Sequence, residues 1–346
     1  MTYVQQQDPT SQRGRPAGRP CIWAICPAYN EAENIPVMYE SLQKVAEELA
    51  DRYDLRFLFV DDCSTDATPQ VLDELCARDP RVMSLRLARN SGSYAAITAG
   101  FAHFEGDCAV VLAADGQDPP EVIPDLVTAW ERGAKVVWAV RGEREGHAGL
   151  NLLASRAFYW IMNHFTSCRM PPEGADFLLV DSQVVDALNL MPERSHSVFA
   201  MIIWLGFPQS SITYTKRRRV HGRSKWSLAM KAKLALDSFI GYSYFPMRVA
   251  SALGIASATL GLVYALVVFV HGLVGRSVPG WSSLMVVLLV TAGVQMLILG
   301  VLGEYLWRVL EEVRHRPRYV IESTRNLPTR PRTDLLPTVL VDSSET

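Results

Sequence analysis

The chain has 346 residues, a formal net charge of −2 and 49% apolar residues. That length suits two units rather than one average domain, and the balanced charge leaves no electrostatic footprint for a nucleic-acid partner. Six cysteines (Cys21, Cys26, Cys63, Cys76, Cys108 and Cys168) are scattered without CxxC spacing. This speaks against a disulfide framework or zinc site and favours the cytosolic side.

Residues 1–20 are polar, carry no apolar secretory core and are expected to form a disordered tail. From Cys21 a regular alternation begins. Strands are predicted over 21–26, 55–60, 82–87, 108–113 and 134–140, with helices over 31–49, 66–77, 93–104 and 121–131. Short, continuous apolar strands alternating with helices indicate βαβ units and a buried, mostly parallel sheet. Beyond residue 150 the pattern loosens: a helix is expected over 152–165 and strands over 176–180 and 210–215. A basic stretch, "KRRRVHGRSKWS", comes next, then an amphipathic segment over 228–245 that suits a helix at a membrane surface.

Residues 249–270 and 277–303 carry no charged side chain. Each is long enough for a spanning helix, which needs about 20 residues. Lys231, Lys233 and Arg248 precede the first run, Arg308, Arg314, Arg316 and Arg318 follow the second, and the connection holds only Arg276. The positive-inside rule then places both termini, and the α/β unit with them, in the cytoplasm. The expected organisation is a tail (1–20), an α/β domain (21–220), interface helices (221–246), two membrane spans (247–307) and a cytosolic C-terminal tail (308–346).

Three polar clusters follow strands: "PAYNE", "DDCSTD" and "ADGQD". Ligands of parallel sheets bind outside the carboxyl ends of the strands, so these clusters define one rim. "DDCSTD" is either a set of turn residues with Ser64 or Thr65 as a helix N-cap, or a site at which Asp61 and Asp62 accept hydrogen bonds from nucleobase and ribose groups. Asp115 and Gln117 offer oxygen donors suited to Mg2+ or Mn2+ beside phosphate oxygens, with Gly116 letting the backbone approach. Such an ion would neutralise a departing diphosphate. The alternative is a plain turn, since Asp, Gly and Pro are common turn formers. No GxGxxG or P-loop pattern occurs. Among the basic residues, Arg217 and Arg218 suit attraction to anionic lipid, whereas Arg144, Arg156 and Arg219 suit bidentate phosphate binding; Arg141, Arg223 and Lys225 lie in the same set.

Taken in order, "CPAYNEAENIP", "VDDCSTDAT", "RNSGSYAAITAGF", "AADGQDPPEVIP", "ADFLL" and "RRRVHGRSKWS", followed by two apolar runs, resemble the polyprenyl-phosphate glycosyltransferases of family two. Bactoprenol glucosyltransferases are the nearer members and dolichol-phosphate mannose synthase a more distant one. The resemblance implies a GT-A fold and inverting transfer of a sugar from a nucleotide sugar to polyprenyl phosphate in the inner membrane, with a divalent cation and a homo-oligomer. UDP-glucose with undecaprenyl phosphate is the expected pair; GDP-mannose and a UDP-aminoarabinose donor are alternatives. It further implies that Pro27, Tyr29, Asn30, Glu31, Asp61 and Asp62 hold the nucleotide, and that Asp115 and Gln117 bind the metal. Asp115, Asp118 and Asp176 would lie at the reacting centre, with Asp176 on the sugar. Arg141, Arg144, Arg156, Arg219, Ser224 and Lys225 would gather the acceptor phosphate. Two departures stand out: Gly116 replaces the family's usual apolar residue, and Ser91, Ser93 and Tyr94 replace its more usual aromatic and Gln or His. A processive synthase is disfavoured, since QxxRW and further spans are lacking. An inactive, membrane-anchored nucleotide-sugar-binding protein is the other alternative, with Gly116 its best support.

Overall fold

The computed structural model describes residues 18–142, 176–191, 197–217, 245–273, 280–314 and 316–328. The predicted segments 152–165 and 228–245 lie outside them, apart from Phe245.

The first half alternates as expected: β1 (Cys21–Ala28), α1 (Asn34–Leu49), β2 (Asp54–Asp61), α2 (Thr68–Arg78), β3 (Val82–Leu87), α3 (Ser93–Ala102), β4 (Cys108–Val111), α4 (Ile123–Glu131) and β5 (Val136–Arg141). A 3-10 turn at Pro120–Val122 leads into α4, where proline's missing N–H goes unmissed in a first turn. Then come β6 (Phe177–Asp181), α5 (Ser182–Asn189), α6 (Val198–Trp204), β7 (Gln209–Tyr214), α7 (Phe245–Leu273), α8 (Trp281–Val313) and β8 (Ile321–Arg325).

The eight strands form one sheet in the order β7-β5-β6-β4-β1-β2-β3-β8. The pairs β1–β2, β1–β4, β2–β3 and β5–β7 are parallel, whereas β6 runs antiparallel to β4 and β5, and β8 antiparallel to β3. The reversal of β6 has a chemical consequence. Its amino end, not its carboxyl end, meets the carboxyl ends of β4 and β5. β8 corrects part of the sequence-based reading: residues 321–325, expected within a tail, supply an edge strand.

Both faces of the sheet are covered, and successive residues of each strand serve opposite faces. Ile22, Ala24 and Cys26 pack under α1, α2 and α4 with Met38, Leu42, Leu72 and Leu126. Trp23 and Ile25 turn to the other face, under α3, α5 and α6, with Ile97, Phe101, Val184 and Met201. On α1 the buried Ile35, Met38, Leu42, Val45 and Leu49 repeat at helical spacing, which makes one apolar stripe. At Gly100 a Cβ would stand 2.6 Å from Ile25 Cγ2, so α3 lies against β1 only because that side chain is absent. No disulfide joins the described cysteines.

α7 and α8 are a different kind of structure. Ile255, Leu260, Leu262, Met296 and Leu306 are all more than half exposed, a surface unsuited to water. Among the described residues α8 contains one stretch long and apolar enough to cross a membrane, Val290–Trp307, and α7 a shorter one, Val249–Tyr264. Of the two spans expected, only the one in α8 reaches that length and composition among the described residues. The helices touch where Gly254 faces Ile298 Cδ1.

Candidate active site

β1 and β2 end side by side, with Ala28 opposite Asp61. The loop after β1 is tied to the turn after β2 by hydrogen bonds. The Asn30 amide donates to Ser64 Oγ at 2.8 Å, the Glu31 amide to Thr68 Oγ1 at 2.9 Å, and the Thr65 amide to Asn30 Oδ1 at 2.8 Å. Asn30 adopts φ +53°, a left-handed conformation that asparagine tolerates better than most residues. Pro27, Tyr29, Asn30 and Glu31 remain partly exposed along this rim.

Asp61 and Asp62 lie behind it, 1% and 4% exposed. Asp61 accepts the Ser64 amide on Oδ1 and pairs with Arg86 through Oδ2. Asp62 receives the Ser91 and Gly92 amides at 2.7 and 2.8 Å, so it anchors the loop before α3. Burial raises the Asp62 carboxyl above the usual aspartate range, against the pull of those two amides. The turn chemistry considered for "DDCSTD" is therefore present, and the inward carboxylates shape the loops beside them. The cap is not: Ala67, not Ser64 or Thr65, precedes α2 and offers no side-chain cap. Tyr94, at the start of α3, packs edge-on against Phe199, with ring centroids 5.4 Å apart.

After β4 the chain turns at Gly116, whose φ of +71° is readily adopted by glycine. Asp115 Oδ1 accepts the Gln117 amide at 3.0 Å, which closes an Asx turn. Asp115 is 8% exposed, whereas Gln117 is half-buried. The Gln117 carbonyl accepts the Arg217 amide at 2.9 Å, joining this turn to the end of β7.

Asp118, expected beside the reacting centre, is fully enclosed. Tyr214 Oη donates to its Oδ1 at 2.6 Å and Lys216 Nζ lies 3.4 Å from the same oxygen. Its Oδ2 is buried with no hydrogen-bond partner among the described residues. Burial, then the Asp118 charge, pushes the Tyr214 hydroxyl well above the ordinary tyrosine range, so Tyr214 stays a donor. Asp176, at the amino end of antiparallel β6, meets Arg141 at the end of β5 with 3.4 Å between Oδ2 and Nη2. Arg141, Lys216, Asp118 and Asp115 all bear electrostatically on Asp176. The fold therefore converges carboxylates and cations from β4, β5, β6 and β7 on one edge.

Of the residues expected at the site, Asp115, Gln117, Asp118, Arg141 and Asp176 gather around this cluster, and Pro27, Tyr29, Asn30, Glu31, Asp61 and Asp62 around the β1–β2 ends. Arg144, Arg156, Arg219, Ser224 and Lys225 lie outside the described residues. Arg217, assigned to lipid attraction, stands 3.3 Å from Glu121 within the protein. Sequence reasoning missed Tyr214, Lys216 and Arg86. The signal for Tyr214 was the alternation in "SITYT", which turns Ile212 and Tyr214 to the same face. Within the described residues no three His, Cys, Asp or Glu side chains form a metal cluster. The Asp115–Gln117 pair offers one carboxylate and one amide oxygen, a donor set that suits Mg2+ or Mn2+ when phosphate oxygens and waters complete the shell.

Comparison with known proteins agrees with this architecture. Residues 23–179 match the glycosyl transferase family 2 model, and residues 245–309 match the GtrB C-terminal hairpin. An uncharacterized glycosyltransferase of Bacillus subtilis, YkcC, is 35% identical over 87% of this chain and 93% of its own length. The bactoprenol glucosyl transferase of Shigella phage SfV is 34% identical over 88% of this chain and 99% of its own. A mannosyltransferase of Pyrobaculum calidifontis solved with GDP-Man and Mn2+ aligns with 84% of this chain and 88% of its own, at 15% identity and a TM-score of 0.44. Spanning nearly the whole length of these sequence relatives, with both the catalytic unit and the hairpin, the chain belongs to glycosyltransferase family 2, in its bactoprenol glucosyl transferase-like branch.

Proposed function

We propose that the chain transfers a hexose from a nucleoside-diphosphate sugar to a polyprenyl phosphate, with glucose from UDP-glucose and undecaprenyl phosphate as the pair. The observation that carries this reading is one sheet edge on which the Asp115–Gln117 turn and the cations Arg141 and Lys216 converge, Asp115, Arg141 and Lys216 all acting electrostatically on Asp176. Such an edge suits a metal-bound diphosphate next to a second anion. The "PAYNE" loop and the Asp61–Asp62 turn would hold the nucleotide, while Arg141, with Arg144, Arg156, Arg219, Ser224 and Lys225, would hold the acceptor phosphate.

The reaction forms a bond between an acceptor phosphate oxygen and the anomeric carbon, with inversion. The bond from that carbon to the donor diphosphate breaks, and the diphosphate leaves with the electron pair. A phosphate oxygen is anionic at neutral pH, so no base must remove a proton; the work left is positioning and electrostatic stabilisation. Asp115 and Gln117 would hold a divalent cation, which when bound stabilises negative charge on the leaving diphosphate. Arg141, oriented by Asp176, presents a fixed fork, and Lys216 offsets the charge of the enclosed Asp118.

The exposed apolar surfaces of α7 and α8 support a membrane hairpin, and the Lys and Arg residues that flank it support cytoplasmic ends. That location suits a long-chain acceptor which cannot leave the bilayer; we take the enzyme to act in the inner membrane, and as a homo-oligomer on the strength of the family resemblance alone. Incubating purified protein with labelled UDP-glucose, GDP-mannose or UDP-aminoarabinose, undecaprenyl phosphate and Mn2+ tests the reading. Label should move to the lipid from UDP-glucose; no transfer from any donor, together with nucleotide binding, would instead favour an inactive binding protein.

A further inference from the structure

Strand β8 reaches the β1–β2 rim through one arginine. Arg86 lies on β3 opposite Ser323 of β8. Its guanidinium donates in three directions: Nε to Glu322 Oε2 on β8 at 2.6 Å, Nη1 to Asp61 Oδ2, and Nη2 to the Ser64 carbonyl at 3.2 Å. Asp61 Oδ1 in turn accepts the Ser64 amide at 2.9 Å, and Ser64 Oγ accepts the Asn30 amide. A continuous set of hydrogen bonds thus runs from β8 to the left-handed Asn30 of the "PAYNE" loop. Beyond Glu322, Asn326 Nδ2 clamps the far end of β8 to the Cys76 and Val82 carbonyls at 2.8 and 2.9 Å.

We propose that Arg86 and Glu322 are positioning residues for the nucleoside-diphosphate end of the donor site. β8, delivered by the chain beyond the α7–α8 hairpin, sets the guanidinium; the guanidinium sets the Asp61–Ser64 turn; and the turn sets the loop carrying Tyr29 and Glu31. This rests on the assignment of that loop to the nucleotide under Proposed function.

Two features separate positioning from simple bracing. Arg86 is mostly covered and serves three acceptors at fixed angles, which a lysine's single ammonium cannot do. Glu322 is about half exposed, so its ion pair adds little to stability, and what it contributes is orientation. β8 also offers an internal control in Arg325, which pairs with Asp73 on α2 at 3.2 Å, both side chains more than half exposed.

The test uses the full chain in detergent. UDP and GDP binding are measured by calorimetry, donor and acceptor KM by lipid-linked transfer, and melting temperature alongside. Arg86→Lys should weaken binding of the preferred nucleoside diphosphate about tenfold and Glu322→Ala about threefold, as expected for lost hydrogen bonds to charged groups. The donor KM should rise in step while acceptor KM, kcat and the Glu322→Ala melting temperature stay put. Glu322→Gln, which keeps an acceptor oxygen, should restore binding, and Arg325→Ala should match the wild type. Equal effects of Glu322→Ala and Arg325→Ala, or wild-type binding in Glu322→Ala, would overturn the proposal while leaving the functional reading intact. If Arg86→Lys fails to fold, the three variants on β8 decide alone. A wild-type protein that binds neither UDP nor GDP overturns the functional reading and this one with it.

Discussion

Tyr214 donates a 2.6 Å hydrogen bond to Asp118 across 96 residues of sequence, joining the edge strand β7 to the turn after β4. Both groups are buried, so the phenol is the main neutral donor for a carboxylate with little access to water. Tyr214→Phe removes that donor and leaves Lys216 as the remaining partner of Oδ1. Leaving a buried acceptor short of a bond costs about 1–3 kcal/mol. A lower melting temperature is expected, together with reduced transfer, since the β7 end also positions the Gln117 carbonyl through Arg217. An unchanged melting temperature would mean that Lys216 alone suffices.

The same pair sets a pH dependence. The folded Tyr214 hydroxyl titrates well above the ordinary value, because burial and the Asp118 charge oppose ionisation. Unfolded tyrosine titrates near pH 10, so the stability contributed by the protonated phenol is complete below about pH 10. Above it the unfolded chain loses a proton that the folded chain keeps, and stability falls with rising pH. Melting curves collected on the alkaline side should show this slope in the wild type and a shallower one in Tyr214→Phe. Parallel slopes would remove Tyr214 as its source.

Asp115→Asn is the sharpest probe of the β4 turn. Asparagine keeps an oxygen at Oδ1 that can accept the Gln117 amide, so the Asx turn and the left-handed Gly116 are retained. Only the charge needed by a divalent cation is lost. Transfer should fall on the order of 100-fold with the melting temperature nearly unchanged, and wild-type activity should vanish with chelator and return with Mg2+ or Mn2+. Full activity in the variant would reduce the segment to a turn.

Much of this edge was legible in the sequence, for identifiable reasons. Strands β1 to β5 are mostly apolar runs, and the rim clusters after β1, β2 and β4 end such runs with Asp, Asn or Gly, so their common edge follows from parallel topology. The direction of a side chain does not. Asp61 and Asp62 lie in one short motif, yet both turn inward, because Arg86 and the amides of Ser91 and Gly92 await them from other elements. β8 reads "IESTR", with only Ile321 buried, and such a polar edge strand has no apolar pattern to betray it. α5 did carry a signal: Asp181 caps it by accepting the Gln183 amide at 2.9 Å.

The hairpin carries a topological expectation. With both termini cytoplasmic, a reporter fused after Thr346 should be active on the cytoplasmic side, and one inserted between Gly272 and Gly280 on the opposite side. Docking of β8 onto β3 independently requires both ends of the hairpin to lie on the side of the sheet, since the chain beyond α8 returns to the sheet that it left after β7. Both reporters on one side would make α7 and α8 a surface or re-entrant hairpin.

The last expectation concerns Arg141, where lipid-phosphate recognition can be separated from mere positive charge. Its Nη2 lies 3.4 Å from Asp176, while its buried Nε has no hydrogen-bond partner among the described residues. A guanidinium held by the Asp176 carboxylate and the Tyr214 hydroxyl, with Nε still offered, is suited to a second anion, and a phosphate uses two parallel N–H groups at once. Lysine keeps the charge but cannot reproduce that fork. Arg141→Lys should therefore raise the KM for polyprenyl phosphate about tenfold, as expected for loss of one charge-assisted hydrogen bond, and leave donor binding and membrane association unchanged. Asp176→Asn should act in the same direction by releasing the guanidinium from its orientation. Acceptor-concentration kinetics on the purified variants, with nucleotide affinity measured separately, give the answer. If Arg141→Lys retains the wild-type acceptor KM while Asp176→Asn raises it, the carboxylate itself meets the substrate, and Arg141 serves only to balance its charge.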